Sequence, residues 1–190
     1  MPKYRVESGT LTVKARSKIH DTTTVWTKIT GTVEADAETL ATKGATAVFT
    51  VDMTSFDAGD WLKNRKLKSD FEMDKHPKAT FELRALRDVV REGKAFTATA
   101  EGALTWRGKE VLVELKGQGQ LDDTTVQASA TFELDIKRLG LVAPRILMIK
   151  VDDVVSIEVS VTGPAVIVAG GPPAVGGAGG PPAVGGAGAA

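Results

Sequence analysis

The chain has 190 residues, with 24 lysines and arginines against 24 aspartates and glutamates, and it contains no cysteine. A formal net charge of zero provides no net field that would favour nucleic acid or an acidic membrane surface. Without cysteine, disulfides, thiolate nucleophiles and thiolate metal sites are all excluded.

No stretch approaches the roughly 18–20 apolar residues that a membrane helix requires, so no integral membrane segment is predicted. The first ten residues lack the apolar core of a secretory signal. The chain as written is therefore expected to be cytoplasmic, or periplasmic if a leader has been removed from it.

Apolar and polar residues alternate with a period of two through most of the chain. This pattern is typical of half-buried strands, because successive side chains point to opposite faces. About eight such strands with short turns and one apolar face predict an all-β fold, an eight-stranded antiparallel barrel. The predicted strands cover residues 4–15, 25–35, 47–56, 79–86, 96–106, 111–115, 126–136 and 154–161. Residues 37–44 and 138–153 are predicted connections.

The period changes only between Ser55 and Leu83. Leu67 and Phe71 have the i, i+4 spacing of one helix face. Ser69 with Glu72 three positions later fits a capping box that would start a second helical turn. Pro77 then ends the helical run, because the residue before a proline is pushed to extended geometry. A single helical segment between strands predicts a lid over one end of the barrel.

The C-terminal segment has a different composition. Residues 170–178 (GGPPAVGGA) are repeated letter for letter at 179–187, and no charged or aromatic residue follows Pro164. Such a segment cannot bury enough side chain to offset its chain entropy. We therefore predict a barrel domain at 1–163 and a disordered Gly/Pro/Ala-rich tail at 164–190, which is either a tether or an expansion without function.

The sequence offers little support for catalysis or metal binding. His20 and Asp21 are adjacent, and adjacent strand residues point to opposite faces, so they do not form a normal dyad. His76 precedes Pro77 in a loop, and the two histidines lack the spacing of a metal site. No catalytic residue and no metal ligand are predicted.

The remaining candidate site is the apolar inward face of the barrel and its lid. Core packing explains these residues, and so does the wall of a ligand cavity, because both use the same residue types. Periodicity does not separate a filled barrel from a hollow one. The candidate ligand-binding residues are Phe49, Val51, Met53, Phe56, Trp61, Leu67, Phe71, Phe81, Phe96, Trp106, Phe132 and Leu134.

The central segment resembles the signature of the YceI-like family, which combines a Ser-x-Asp-x-Gly turn, an Arg-x-x-Leu-x-Ser-x-Phe run and a proline followed by Thr-Phe. The matching residues are Ser55, Asp57, Gly59, Leu67, Ser69, Phe71, Pro77, Thr80 and Phe81. Further matches are His20, Gly31, Glu101, Gly102, Leu104, Gly108, Asp135, Ile136, Arg138, Gly140 and the closing Val151–Val155. The resemblance covers roughly residues 3–163 and leaves out the tail.

The resemblance implies a lipocalin-like barrel that binds a polyisoprenoid or an isoprenoid quinone in an apolar cavity, without catalysis. No cofactor is expected beyond such a lipid, and the expected partner is an apolar small molecule. A homodimer is one candidate for the oligomeric state. Lys63, Arg65, Lys66 and Lys68 of the lid either meet an acidic headgroup or form the solvated face of the helix. Two alternatives remain open: a structural protein with a filled barrel and a tethering tail, and a hydrolase that uses His20.

Overall fold

A computed structural model describes residues 1–146 and 149–167 of the chain. In this part of the chain, twelve antiparallel strands are accompanied by two α-helices and one 3-10 helix. The strands are β1 (Lys3–Val6), β2 (Ser8–Ser17), β3 (Thr22–Trp26), β4 (Ile29–Ala35), β5 (Ala45–Asp52), β6 (Phe56–Asp57), β7 (Lys78–Glu92), β8 (Ala95–Trp106), β9 (Lys109–Leu121), β10 (Thr125–Asp135), β11 (Arg145–Ile146) and β12 (Ile149–Pro164). The helices are α1 (Leu40–Lys43), α2 (Trp61–Asp70) and the 3-10 helix η1 (Ile136–Leu139).

The sheet curls until its last long strand meets the N-terminal hairpin. β2 pairs with β12, with Leu11 opposite Val159, while β1 pairs with β4, with Tyr4 opposite Val33. Only Glu7 separates β1 from β2, so one interrupted strand links the two ends of the sheet. The all-β antiparallel barrel fold is confirmed.

The observed strand count differs from the predicted eight because several barrel strands are interrupted. β1 and β2 together form the first predicted strand, and β3 and β4 together form the second. β6 follows β5 after a short turn, and β11 is a two-residue strand that pairs only with β12. These breaks follow from local bends, which period-two alternation does not reveal.

The helical segment lies where the sequence predicts it, but its start differs. The N-terminal cap of α2 is Asp60, whose carboxylate accepts a hydrogen bond from the Lys63 backbone N–H at 2.8 Å. Ser69 lies inside α2, so Ser69 and Glu72 do not start a second helix. None of the helices is long and apolar enough to cross a membrane, within the residues that the structure describes.

Two predicted connections contain regular structure. Residues 37–44 include α1, whose Leu40 is buried against one end of the barrel. Residues 138–153 include the end of η1, β11 and the start of β12, which begins five residues before the predicted Val154. At the chain's far end, the Ala165 and Val166 backbone N–H groups donate to Thr124 and Lys3 carbonyls. The predicted tail beyond residue 167 lies outside the described residues.

Candidate ligand-binding cavity

A cavity of about 290 Å³ lies inside the barrel. Its lining extends from Leu40 in α1 at one end to Phe71 and Leu139 at the other. Among the described residues, the lining includes no charged side chain, and its polar residues are Thr80, Gln118 and Ser129. An uncharged wall of this kind favours an apolar ligand, because a buried polar ligand group would lack partners.

Most of the predicted ligand-binding residues line this cavity. They are Phe49, Val51, Met53, Phe71, Phe81, Phe96, Trp106, Phe132 and Leu134. The barrel brings them together because each occupies an inward position of its strand, of the turn after β5 or of the turn after α2. Their contact with a ligand stays a prediction.

Three predicted site residues lie outside the cavity wall. Trp61, in the first turn of α2, is 71% exposed. Leu67 is buried under α2 but packs into the core cluster at that end. Phe56 packs its ring against Trp26, 6.1 Å between centroids, and it is Trp26 that lines the cavity. Helical spacing identified the buried face of α2 but not the distance of each residue from the barrel axis.

Several wall residues were not among those predicted from the sequence. Leu11, Val13 and Trp26 come from predicted strands, and their alternation was the signal that could have found them. Leu139 and Leu141 belong to a segment predicted as a linker, where no period-two signal exists.

Two stacked aromatic rings pack against glycines in the wall. Phe49 and Phe81 are direct partners across β5 and β7, with ring centroids 6.5 Å apart. A β-carbon on Gly31 would lie 2.6 Å from Cδ1 of Phe49, and one on Gly102 would overlap the ring of Phe81. Glycine at these two positions therefore allows the rings to lie close to the sheet and keeps the lumen open.

The barrel wall is split between β9 and β10 at the α2 end. These strands pair only from Lys116–Leu121 to Val126–Thr131, so their other halves do not hydrogen-bond to each other. η1 contacts both strands there, and the Arg138 guanidinium donates to the Leu112 carbonyl at 3.2 Å. Leu139 of η1 is buried and lines the cavity, so this short helix closes the gap.

Hydrogen bonds and an aromatic contact hold the turn after α2 against the β8–β9 hairpin. The Trp106 indole N–H donates to the His76 carbonyl at 2.9 Å, and its ring meets Phe71 edge to face at 6.3 Å. Arg107 donates to the Phe71 carbonyl at 2.6 Å and lies 3.4 Å from the Glu72 carboxylate. These contacts hold Phe71 in the cavity wall and confirm a helical segment over one end of the barrel.

The Ser-x-Asp-x-Gly turn fixes the start of α2. Asp57 accepts hydrogen bonds from the Gly59 backbone N–H at 2.8 Å and the Asn64 amide at 3.2 Å. These donors, Gly59 first, lower the pKa of the Asp57 carboxyl. Gly59 has φ of +99°, a conformation that favours glycine. The motif therefore has a structural role, away from the cavity lining.

Neither histidine lines the cavity. His20 is exposed in the β2–β3 turn, where its backbone N–H and carbonyl both hydrogen-bond the Ser17 hydroxyl. His76 offers its backbone carbonyl to Trp106. Within the described part of the chain, no three His, Cys, Asp or Glu residues are grouped to hold a metal ion.

The basic residues of α2 also lie outside the cavity wall. Lys66 pairs with Asp70 at 3.0 Å, and Lys63 pairs with Asp60 at 3.5 Å. Lys68 pairs with Asp74 at 3.5 Å, and the Arg65 guanidinium lies over the Trp61 ring at 5.5 Å. In this arrangement they form the solvated face of the helix.

Residues 4–163 match the family model of the YceI-like domain. The chain belongs to the YceI-like family. The resemblance to this family is thereby confirmed. Gly31 and Gly102, two of the matching residues, have the packing role in the wall described above. No curated protein matches this YceI-like chain.

Solved structures share the fold at low sequence identity. BcnA from Burkholderia cenocepacia is 21% identical with a TM-score of 0.66, and the match covers 81% of this chain and 95% of that one. A polyisoprenoid binding domain from Saccharophagus degradans, implicated in plant cell wall breakdown, is 14% identical with a TM-score of 0.69, covering 85% and 98%. The YCEI protein of Campylobacter jejuni is 13% identical with a TM-score of 0.58, covering 78% and 88%. At these identities the likeness shows that the YceI-like chain has the same fold.

Proposed function

We propose that this protein binds an isoprenoid-type lipid, a polyisoprenoid or an isoprenoid quinone, inside the barrel without chemically changing it. The observation that carries the proposal is the cavity of about 290 Å³ with no charged residue in its described lining. Each buried CH₂ group of a ligand contributes about 0.8 kcal/mol, so a dozen enclosed carbons suffice for a tight site after the ordering cost.

The comparisons support the lipid class. One structure with the same fold is described as a polyisoprenoid binding domain, and family membership covers the whole barrel of this chain. The cavity volume lies near the lower end of the roughly 300–1,000 Å³ that small-molecule pockets span. A long polyisoprenoid therefore extends beyond this space or displaces wall side chains, and the mass of the bound lipid measures its length.

The two alternative functions have less support. A filled barrel conflicts with the internal cavity, and the tether role concerns a segment mostly outside the described residues. Catalysis by His20 would require its imidazole near bound substrate, whereas His20 is exposed and absent from the cavity lining.

The first experiment is organic extraction of the purified protein followed by mass spectrometry, with native mass spectrometry of the intact protein beside it. A stoichiometric isoprenoid lipid is the expected result. Protein that contains no lipid and takes up no added quinone or polyprenol would contradict the proposal.

A pair of variants on β10 separates cavity binding from surface binding. Ala130→Phe adds a ring at a position that lines the cavity, and Thr131→Phe adds the same ring at the exposed position beside it. We expect Ala130→Phe to reduce bound lipid at least tenfold while Thr131→Phe retains it. Equal lipid content in both variants would place the lipid outside the barrel.

A further inference from the structure

Several large apolar side chains are exposed at the α2 end of the barrel. Trp61 is 71% exposed and Leu62 54%, both in the first turn of α2. Ile19 in the β2–β3 turn is 73% exposed, and Val142 after η1 is 83% exposed. Exposed large apolar residues that gather in one region indicate an interaction site, whereas scattered ones do not.

Strand pairing places these residues at the same end of the barrel. β6 runs antiparallel to β3, with Asp57 opposite Val25, so the chain leaves β6 toward the β2–β3 turn just before α2 begins. On the other side of that turn, Ser17 pairs with Val151 of β12, and β11 pairs with the first residues of β12. We call the surface formed by residues 18–21, 60–70 and 141–145 the rim.

The rim carries an excess of positive charge. Its basic residues are Lys18, Lys63, Arg65, Lys66, Lys68 and Arg145, and its acidic residues are Asp21, Asp60 and Asp70. The other turns and connections of this end, at 53–59, 71–77, 107–108 and 136–140, contain Asp57, Glu72 and Asp74 against Lys75, Arg107, Lys137 and Arg138. At the opposite end, the turns at 36–44, 93–94 and 122–124 contain Asp36, Glu38, Asp122 and Asp123 against Lys43 and Lys94. A neutral chain thus folds into a barrel with one basic and one acidic end.

We propose that the rim docks on the surface of an anionic lipid bilayer. Tryptophan is favoured at the level of lipid headgroups, and apolar neighbours insert beside it. Lysine and arginine around them are attracted to anionic lipids. The Arg65 guanidinium over the Trp61 ring joins both features in one contact. The rim lies at the same end of the barrel as the separation of β9 and β10 that η1 fills, so the docked barrel would turn this end toward the bilayer.

The tryptophans of this chain provide a direct readout. Of the three, Trp26 and Trp106 are buried, so a change of emission on vesicle binding reports chiefly on Trp61. We expect a blue shift, and quenching by brominated lipid, with phosphatidylcholine vesicles that contain phosphatidylglycerol. Pure phosphatidylcholine vesicles or high salt should abolish both, because screening removes the charge attraction. A Trp61 emission that no vesicle changes would overturn the proposal.

Matched variants test the position of the surface by vesicle flotation. Trp61→Ser with Leu62→Ser should reduce flotation at least tenfold. Val48→Ser with Val90→Ser removes two exposed apolar residues from barrel strands away from the rim and should leave flotation unchanged. Light scattering is measured on the same proteins. If the wild type is a dimer and only the rim variant is a monomer, a second copy of the chain covers this surface. That result would overturn bilayer docking.

Docking on the bilayer rests on the proposed binding of a lipid in the cavity, but separate measurements test the two properties. The lipid content of each variant is measured by extraction, as for the proposed function. Rim variants that keep their lipid yet no longer float support docking as a distinct property. If wild-type protein binds vesicles in the flotation assay and yet neither contains nor takes up an isoprenoid lipid, that result would contradict the proposed function and leave docking on the bilayer supported.

Discussion

The ring of Phe81 lies over Gly102 on the neighbouring strand, so closely that a β-carbon on Gly102 would overlap Cζ and Cε2 of that ring. Phe81 in turn stacks on Phe49, and both rings line the cavity. The width of the lumen at this level therefore depends on the absence of a β-carbon at Gly102.

Gly102→Ala should destabilise the protein and reduce lipid uptake, because the new methyl group forces the Phe81 ring into the lumen. Overpacking of this kind costs about 1–3 kcal/mol of unfolding free energy. Chemical denaturation measures the stability, and extraction measures the bound lipid. Gly117→Ala is the control, because its β-carbon would have its nearest neighbour at 3.6 Å. Adding Phe81→Leu to Gly102→Ala should restore uptake, and a fully stable Gly102→Ala would contradict the explanation.

Trp106→Phe should loosen the turn that follows α2. The change removes the indole N–H donor to the His76 carbonyl, a hydrogen bond that contributes about 1 kcal/mol. Hydrogen exchange of residues 72–76 should become faster than in the wild type. Trp61→Phe, at an exposed position, serves as the control and should leave exchange there unchanged. Equal exchange in both variants would mean that Arg107 alone holds the turn.

Tyr4 should make the protein sensitive to alkaline pH. Its side chain is fully buried and its hydroxyl donates to the Asp122 carbonyl at 2.7 Å. Burial first, then the nearby Asp123, Asp122 and Asp36 carboxylates, raises the pKa of the phenol above 10.0. The folded state then holds the proton more tightly than the unfolded state, so stability falls as pH rises above about 10. Tyr4→Phe should lower the free energy of unfolding by about 1 kcal/mol at pH 7, and its stability should fall less steeply above about pH 10. A decline equally steep in both proteins would contradict the assignment.

Asp122 should contribute to acid sensitivity. The Thr124 hydroxyl, then the Lys94 ammonium and the Thr124 and Thr125 backbone N–H groups, lower the pKa of its carboxyl well below 3.8. The folded state therefore favours the ionised Asp122 carboxylate. The stability that its hydrogen bonds contribute is fully present above about pH 4 and is lost as the pH falls further. Asp122→Asn should therefore lower the denaturation midpoint at pH 7, and the difference from wild type should shrink in acid.

Asp123→Asn is the matched control for charge, since it removes one carboxylate at the adjacent exposed position of the same turn. If both variants shift the midpoint equally at pH 7, net charge rather than the Asp122 hydrogen bonds explains the effect.

Period-two alternation determined the strands and most of the cavity wall, because the direction of a strand side chain depends only on its place in the local pattern. Phe49, Phe81 and Phe132 were identified in this way, and the structure places all three in the wall. The central motif likewise identified the family and the helical segment over the barrel end.

Only the tertiary structure decided how far each residue lies from the barrel axis and which distant segments meet. Leu139 enters the wall because β9 and β10 separate, and that separation depends on strand register rather than on any local pattern. Trp61 is of a residue type that is usually buried, yet the first turn of α2 leaves it 71% exposed. A formal net charge of zero describes the sum of the charges, whereas their separation into a basic and an acidic end depends on which turns the fold brings together.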